Sequence, residues 1–156
     1  MFIDNRTKKA DLAIDSFQLD QIAESVLSDF LEQPVQCTLS FVKPSEIKKL
    51  NKQYRGVDEI TDVLTFQSEG EIDPETNIPY LGDILICIER ASEQAEISGH
   101  SLENEVELLL IHGLLHLIGF DHDTPANKDL MWEKQTDYLN KFNIHLGRKP
   151  GDDFEF

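Results

Sequence analysis

The stretch VELLLIHGLLHLIGFDH, residues 106–122, predicts the central element of the fold. Apolar residues surround nearly the whole circumference of a helix over 106–118, which indicates a helix buried on all sides. After Glu107, the only polar side chains in that helix are His112 and His116, which lie one turn apart on the same face. Because an imidazole is costly to desolvate unless its nitrogens have partners, this pair favours a shared metal ion.

A third histidine follows at a spacing that completes a metal site. Gly119 is placed to end the helix in a left-handed conformation, so that the chain reverses and brings His122 back toward His112 and His116. Three neutral imidazoles leave the fourth tetrahedral position of a zinc ion open, as in catalytic zinc sites. A lone histidine on an apolar face is usually a hydrogen-bonded core residue. Three at spacings of four and six, with a glycine between the second and third, are hard to explain in that way.

The pattern H-x-x-x-H-x-x-G-x-x-H has the frame of the metzincin proteases, whose glutamate general base directly follows the first histidine. Gly113 occupies that position here and cannot take a proton from a zinc-bound water, so the peptidase interpretation loses its chemical centre. Met131 invites comparison with a Met-turn, but its neighbours are typical of a helix, which favours a core methionine. His100 and His145 lack partners at ligand spacing, and we expect them to be surface or local hydrogen-bonding residues.

The rest of the chain predicts an α+β fold. Strand-like runs occupy residues 2–4, 35–42, 62–66 and 80–88, and helical patterns occupy 17–31, 45–53, 89–98, 102–118 and 126–142. This order gives a mixed sheet of about four strands packed against helices. The polar stretch 67–79 is too long for a simple turn and is expected to be a flap or a mobile loop. We expect one hydrolase domain over residues 1–156, with a loose tail from about 147.

Length and composition indicate a folded, water-soluble protein. The chain has 156 residues, of which 40% are hydrophobic and 28% charged, and it can bury a core without disulfides or structural metals. Cys37 and Cys87 each lie in an apolar run, which suggests buried free thiols in a reducing cytoplasm. The first residues do not resemble a signal peptide, and no apolar stretch is long enough to span a bilayer, so we expect no membrane partner.

Charge is unevenly distributed along the chain. The net charge of −16 argues at face value against a polyanionic partner. Five of the fourteen basic residues nevertheless fall within thirteen positions that hold a single acid, Glu46. They are Lys43, Lys48, Lys49, Lys52 and Arg55. This basic cluster indicates either a phosphate-binding surface or an ordinary solvated helix face, and the sequence leaves both open.

Three blocks of sequence resemble those of one known family. HGLLHLIGFDH, residues 112–122, strongly resembles the signature of the YbeY family, bacterial zinc-dependent endoribonucleases of ribosomal RNA maturation. NKQYRGVDEITDVLTF (51–66) and LGDILICIERA (81–91) resemble the two other characteristic blocks of the family in order and spacing. With MWE (131–133), these blocks cover most of residues 51–133, whereas the first fifty residues match in pattern more than in identity.

The resemblance implies an α+β fold, one zinc ion held by His112, His116 and His122, and a functional role for Arg55 in the NxxYR block. It implies single-strand endoribonuclease activity in 16S rRNA 3′-end processing and ribosome quality control, in the cytoplasm. The implied partners are precursor rRNA and the small ribosomal subunit or its assembly proteins, and no DNA is expected. Gln67 stands where the family commonly has a proline, a departure that is not expected to touch the ligands.

A guanidinium at Arg55 also suits phosphodiester chemistry for a separate reason. Cleavage builds negative charge on phosphate oxygens, and a planar guanidinium can hold two of them at once where lysine offers a point charge. The alternative is an ordinary surface salt bridge with Asp58 or Glu59.

The general base is left open by the sequence. The matched blocks contain three acidic candidates, Asp62, Asp83 and Asp121. A cap, a strand-end hydrogen bond or a contact to a ligand histidine would equally explain each of them. Since an acid often holds the other N–H of a ligand imidazole, Asp121 is favoured as a support rather than as the base.

Two other classes of function stay open. In a non-enzymatic ribosome assembly factor, zinc would only shape a binding surface, and the open fourth position argues against this. A metallopeptidase is disfavoured by Gly113. Three protein ligands in an accessible cleft beside Arg55 would favour the nuclease, whereas four protein ligands without access would favour the assembly factor.

Overall fold

The computed structural model describes residues 1–7 and 14–147, which form four strands and five helices. In chain order the elements are β1 (Phe2–Asn5), α1 (Ser16–Phe30), β2 (Gln36–Val42), α2 (Pro44–Arg55), β3 (Val63–Gln67), β4 (Tyr80–Cys87), α3 (Ile88–Ser98), α4 (Leu102–Ile118) and α5 (Pro125–Lys141). Each element predicted from the sequence is present, with ends within two residues of those expected. The α+β fold is therefore confirmed.

The four strands form one mixed sheet, as predicted, and their order in the sheet is β1-β2-β4-β3. β1 and β4 both run parallel to β2, whereas β3 runs antiparallel to β4. Within residues 1–7 and 14–147, strand β3 consequently has a neighbour on one side only and forms an open edge of the sheet. Strand β3 borders the candidate site, so the open edge of the sheet lies next to that site.

Residues 67–79, expected to be a flap or a mobile loop, fold back on themselves. Ile72 and Pro79 form an isolated antiparallel bridge, and the backbone N–H of Tyr80 donates to Glu71 O at 2.8 Å. The N–H of Ser68 donates to Leu81 O at 2.9 Å. These bonds extend the β3–β4 pairing into a hairpin.

Helices cover both faces of the sheet. On one face α2 packs over a small core that includes Ile47, Leu64 and Leu85. On the other face α1, α3, α4 and α5 enclose the main core, to which β3 contributes Val63 and β4 contributes Ile84 and Ile86. The alternation of Val63 and Leu64 between the two cores follows from the period of two in a strand.

Helix α4 is the centre of the main core and is buried along most of its length, as predicted. Gly113 lies against β4, where a Cβ atom would come within 2.8 Å of Ile84 Cγ2. A glutamate at this position would therefore collide with the sheet. Close packing of α4 on β4 accounts for a glycine where the metzincin frame has its base.

A buried polar network joins the start of β3 to α3 and α4. With its amide nitrogen turned toward the two carboxylates, Gln94 donates to Asp62 Oδ2 at 2.9 Å and to Glu105 Oε1 at 3.0 Å. Nε2 of His100 lies 2.5 Å from Glu105 Oε2, and Nδ1 of His100 accepts the backbone N–H of Gly147 at 3.0 Å. The expectation of local hydrogen bonding holds for His100, but its side chain is buried and not on the surface.

Other predictions are confirmed at single residues. Cys37 and Cys87 are buried free thiols. Met131 is fully buried in α5 and is thus a core methionine. Of the tail expected to be loose from about residue 147, only Gly147 lies within the described residues. Among these residues, no helix combines the length and the apolar character needed to cross a bilayer.

Candidate metal centre

Three histidine side chains meet beside the open edge of the sheet. His112 and His116 project from α4, and His122 follows the end of that helix. The ring centroids lie 4.5 Å apart for His112 and His116, 5.1 Å for His116 and His122, and 5.7 Å for His112 and His122. One nitrogen from each ring lies within 4.8 Å of the other two, so together they could hold a metal ion.

The turn after α4 brings His122 to the other two histidines. Gly119 has a φ of 120°, a positive value wider than that of a left-handed helix and one that L side chains rarely adopt. The N–H groups of Gly119 and Phe120 both donate to Leu115 O, at 3.1 and 3.0 Å, which closes the helix end. The reversal predicted at this glycine is therefore present.

Gln135 of α5 orients the His112 ring. Its Oε1 lies 2.5 Å from Nδ1 of His112, and both side chains are at most 1% exposed. An amide oxygen accepts a hydrogen bond, so the ring carries its proton on Nδ1 and its lone pair on Nε2. Sequence reasoning missed Gln135, although a polar residue on the buried face of α5, four residues after Met131, was a signal for it.

The expectation that Gln67 does not touch the ligand residues is wrong. Nε2 of Gln67 donates to the backbone carbonyl of His116 at 3.0 Å. The same carbonyl also accepts the backbone N–H of Gly119 at 3.0 Å, so the Gln67 amide adds a second hydrogen bond to it. A proline at this position has no amide to donate, so Gln67 adds a link between β3 and the end of α4.

Burial keeps two of the histidines neutral. The pKa of His112 is lowered well below its ordinary value, mainly because burial disfavours the cation, and His116 adds to this effect. The pKa of His116 is lowered by burial first and then by His122, and the charge of Arg55 acts in the same direction. Asp121 and the backbone of Phe120 oppose this shift. Neutral imidazoles offer the lone pairs that a metal ion requires.

The histidines line a cleft of about 500 Å³. Its wall consists of Tyr54 and Arg55 from α2, all five residues of β3, and His112, His116, Asp121 and His122. The elements that build it are far apart in sequence, and they meet because β3 lies between α2 and α4. The centre is thus open to a molecule much larger than water.

Arg55 lies at the end of α2 and lines this cleft. Among the described residues it forms no ion pair, so the surface salt bridge considered for Asp58 or Glu59 is not observed. Asp58 instead lies 3.9 Å from Nζ of Lys52. The Arg55 guanidinium is exposed and near enough for its charge to act on His116.

The three candidate bases have different surroundings. Oδ1 of Asp62 accepts the backbone N–H of Val63 at 2.8 Å, and Oδ1 of Asp83 accepts the Tyr80 hydroxyl at 2.8 Å. Asp121 alone of the three lines the cleft, and its Oδ1 accepts the backbone N–H of His122 at 2.7 Å. Asp121 therefore supports the turn that carries His122, and no ring hydrogen bond of Asp121 occurs among the described residues.

Comparison with known proteins shows the family of this chain. The family model described as endoribonuclease YbeY matches residues 2–143. This chain belongs to the YbeY family. The endoribonucleases YbeY of Thermoanaerobacter sp. (strain X514) and Clostridioides difficile (strain 630) are 38% and 40% identical to it. Each alignment covers 92% of this chain, with 98% and 97% of the respective relative.

A solved structure supports the same family assignment. The solution structure of a Thermotoga maritima protein matches with a TM-score of 0.61 and 31% sequence identity, over 90% of this chain and 87% of that chain. The YbeY resemblance seen in the three sequence blocks is therefore confirmed.

Proposed function

We propose that this protein is a zinc-dependent, single-strand endoribonuclease whose one zinc ion is held by His112, His116 and His122. The observation that carries the proposal is the meeting of three imidazoles and Arg55 in one open cleft. The donor set fits zinc, since imidazole nitrogen is a preferred ligand and three protein ligands are typical of catalytic sites. The curated relatives, named endoribonucleases, supply the reaction class.

Each residue of the cleft has a role in this proposal. A bound zinc ion supplies Lewis-acid polarisation of water or of a phosphate oxygen. The Arg55 guanidinium binds the phosphate and stabilises the negative charge that builds on its oxygens. Gln135 fixes the ring of His112, and Gln67 ties the end of α4 to β3. Of the cleft residues that the structure describes, Asp121 is the only acid, and its bond to the His122 backbone N–H favours a supporting role for it.

We infer that the substrate is precursor rRNA, processed at the 3′ end of 16S rRNA in association with the small ribosomal subunit or its assembly proteins. The exposed basic face of α2, which leads directly to Arg55, supports an RNA substrate despite the net charge of −16. The buried free thiols of Cys37 and Cys87 support a cytoplasmic location. We further propose that residues 1–156 act as one hydrolase domain.

Incubation of the purified protein with precursor rRNA, with and without chelator, tests this function. Cleavage should stop with chelator and return with added zinc, and a DNA oligonucleotide of the same sequence should stay intact. Cleavage that persists in chelator contradicts the metal dependence. A zinc-loaded protein that binds precursor rRNA without cutting it supports the assembly factor, and hydrolysis of peptides supports the metallopeptidase.

The ligand set is tested separately by His116→Ala. Loss of one of three ligands should remove most of the bound zinc, while circular dichroism should show an intact fold because the core is apolar. His145→Ala is the matched control, since His145 is exposed and does not belong to the cluster. Stoichiometric zinc in folded His116→Ala protein contradicts the three-ligand site.

A further inference from the structure

The cleft wraps around the open edge of the sheet. The histidines approach it from α4 on one face, and Tyr54 and Arg55 approach it from the last turn of α2 on the other face. A ligand that reaches both groups must therefore cross strand β3. This geometry suits an extended chain more than a compact small molecule.

Tyr54 is a large aromatic side chain left in solvent at this cleft. It is 61% exposed, although the large apolar surface of a tyrosine ring is usually buried in the core or at an interface. Its ring lies 5.0 Å from that of Phe66 with an interplanar angle of 67°, an edge contact. Phe66 itself packs against the small core under α2. The Tyr54 ring is thus held from one side by the fold, while most of the residue is exposed to solvent at the cleft wall.

The backbone of β3 adds polar groups at the same place. The N–H of Cys87 donates to Asp62 O and that of Ser68 donates to Leu81 O, both at 2.9 Å. In an antiparallel pair, residues alternate between bonding to the neighbouring strand and pointing their backbone groups away from it. The N–H and C=O groups of the even-numbered residues of β3 therefore bond to β4, and those of the odd-numbered residues point away from it. The N–H and C=O of Thr65 therefore face outward from the sheet, and they bond to no other strand among the described residues.

We propose that Tyr54 is a stacking platform for an unpaired nucleobase next to the phosphate held by Arg55. The inference rests on the proposed function and names the substrate group that the cleft binds. Tyr54 and Arg55 are consecutive, with Cα atoms about 3.8 Å apart, so one nucleotide and its phosphate can be bound together. Any base has a π-face that can stack on an aromatic ring, and the outward groups of Thr65 are positioned for the edge of that base.

This arrangement gives a physical reason for a preference for single strands. A base in a duplex is stacked on both faces and paired at its edge, so its face cannot reach a tyrosine ring. An unpaired base pays no such cost. Tyr54 is a positioning residue in this scheme, because it binds the substrate and takes no part in bond breaking.

The first test compares Tyr54→Ala and Tyr54→Phe in the zinc-loaded protein on a single-stranded oligoribonucleotide. Stacking is worth about 1–3 kcal/mol per base, so Tyr54→Ala should raise KM and Kd about 5- to 150-fold with a smaller change in kcat. Tyr54→Phe keeps the ring and should stay within about twofold of the wild type. Phe17→Ala is the matched control, since Phe17 is 70% exposed and lies outside the cleft. An unchanged Kd for Tyr54→Ala overturns the proposal.

The second test distinguishes stacking from a merely structural role. Oligoribonucleotides that each lack one base are bound to the wild type and to Tyr54→Ala, with Kd measured by fluorescence anisotropy. At one position the missing base should weaken binding to the wild type but not further weaken binding to the variant. Equal losses in both proteins at every position overturn the platform. The role of Tyr54 is tested by Kd alone, which does not depend on cleavage. Failure of the proposed nuclease function is seen separately, as wild-type protein that binds RNA without cleaving it.

Discussion

Oε1 of Gln135 lies 2.5 Å from Nδ1 of His112, and these two buried atoms connect α5 to the candidate metal centre on α4. The two residues are 23 positions apart in the sequence. A hydrogen bond to the outer nitrogen of a ligand histidine fixes the ring orientation and its tautomer. The metal centre therefore depends on the packing of α5 as well as on the three histidines.

Replacement of Gln135 by Met should weaken zinc binding by about 10- to 100-fold, the usual cost of losing such a partner. Methionine has a similar length but leaves the buried Nδ1–H of His112 without its acceptor. Competition with a chromophoric chelator measures the affinity. Gln33→Met, at an exposed position, is the control. Equal zinc affinities in Gln135→Met and the wild type would show that Gln135 does not support the site.

Arg55→Lys should reduce turnover more than RNA affinity. Lysine keeps the positive charge but cannot hold two phosphate oxygens in a planar fork. Loss of a hydrogen-bond donor to developing negative charge lowers kcat by about 100- to 1,000-fold. We expect Arg55→Lys to lower kcat by up to this factor. Steady-state kinetics separate kcat from KM. Arg90→Lys is the control, since Arg90 pairs with Glu93 at 3.0 Å on α3. A kcat unchanged by Arg55→Lys contradicts the proposed role.

The basic cluster on α2 should set the salt dependence of RNA binding. Lys48, Lys49 and Lys52 are exposed, and Glu46, the only acid in the cluster, is paired with Arg6 at 2.6 Å. Changing the three lysines to Gln should weaken binding and flatten the slope of log affinity against log salt, by about one unit for each phosphate that the variant no longer neutralises. Titrations at several salt concentrations measure the slope.

The matched control for this triple variant changes Lys128, Lys134 and Lys141 of α5 to Gln. It removes the same charge from a helix that does not lead into the cleft. Equal affinity and slope in the α2 variant and the wild type would identify the basic cluster as an ordinary solvated helix face.

Gly113→Ala should destabilise the fold by about 1–3 kcal/mol, the usual cost of overpacking a core. The added Cβ would lie 2.8 Å from Ile84 Cγ2, and this outweighs the gain of about 1 kcal/mol in helix propensity. Urea unfolding measures the free energy. Ile84→Ala removes the opposing methyl group. The double variant Gly113→Ala/Ile84→Ala should therefore lose less free energy of unfolding than the two single variants lose in total. A Gly113→Ala protein as stable as the wild type would show that α4 can shift away from the sheet.

Asp62→Asn should change the pH dependence of stability. Burial, with a smaller effect from the charge of Glu105, raises the pKa of Asp62 to about 6, while the bond from the Val63 N–H opposes the shift. The folded-state pKa exceeds the ordinary value of about 3.9, so the protonated Asp62 carboxyl stabilises the folded state relative to the ionised one. This contribution to stability is full below about pH 4 and is lost as pH rises through about 6. The free energy of unfolding of Asp62→Asn, relative to the wild type, should therefore rise between pH 4 and pH 7.

Unfolding in urea at a series of pH values measures this change. Asp58→Asn serves as the control, since Asp58 is exposed. A parallel pH profile for Asp62→Asn and the wild type would mean that the Asp62 carboxyl has the same pKa in the folded and unfolded chains.

Local sequence signals determined the elements and the core of the site. The apolar pattern around His112 and His116 predicted α4 over residues 102–118 with its observed ends, because helical periodicity is a property of neighbouring residues. Gly119 predicted the reversal that brings His122 back, since a positive φ is a local constraint on the backbone. The meeting of the three histidines needed only this helix and its final turn.

Tertiary structure alone decided which distant residues reach the cleft. The pairing of β3 with β4 as an edge strand placed Tyr54 and Arg55 opposite the histidines, and it brought Gln67 to the His116 carbonyl. Helix packing likewise put Gln135 on the ring of His112. Such contacts depend on the order of strands and the packing of helices many residues apart. The burial of apolar faces over the whole core sets the relative positions of the strands and helices. Those positions then determine which polar side chains come into contact.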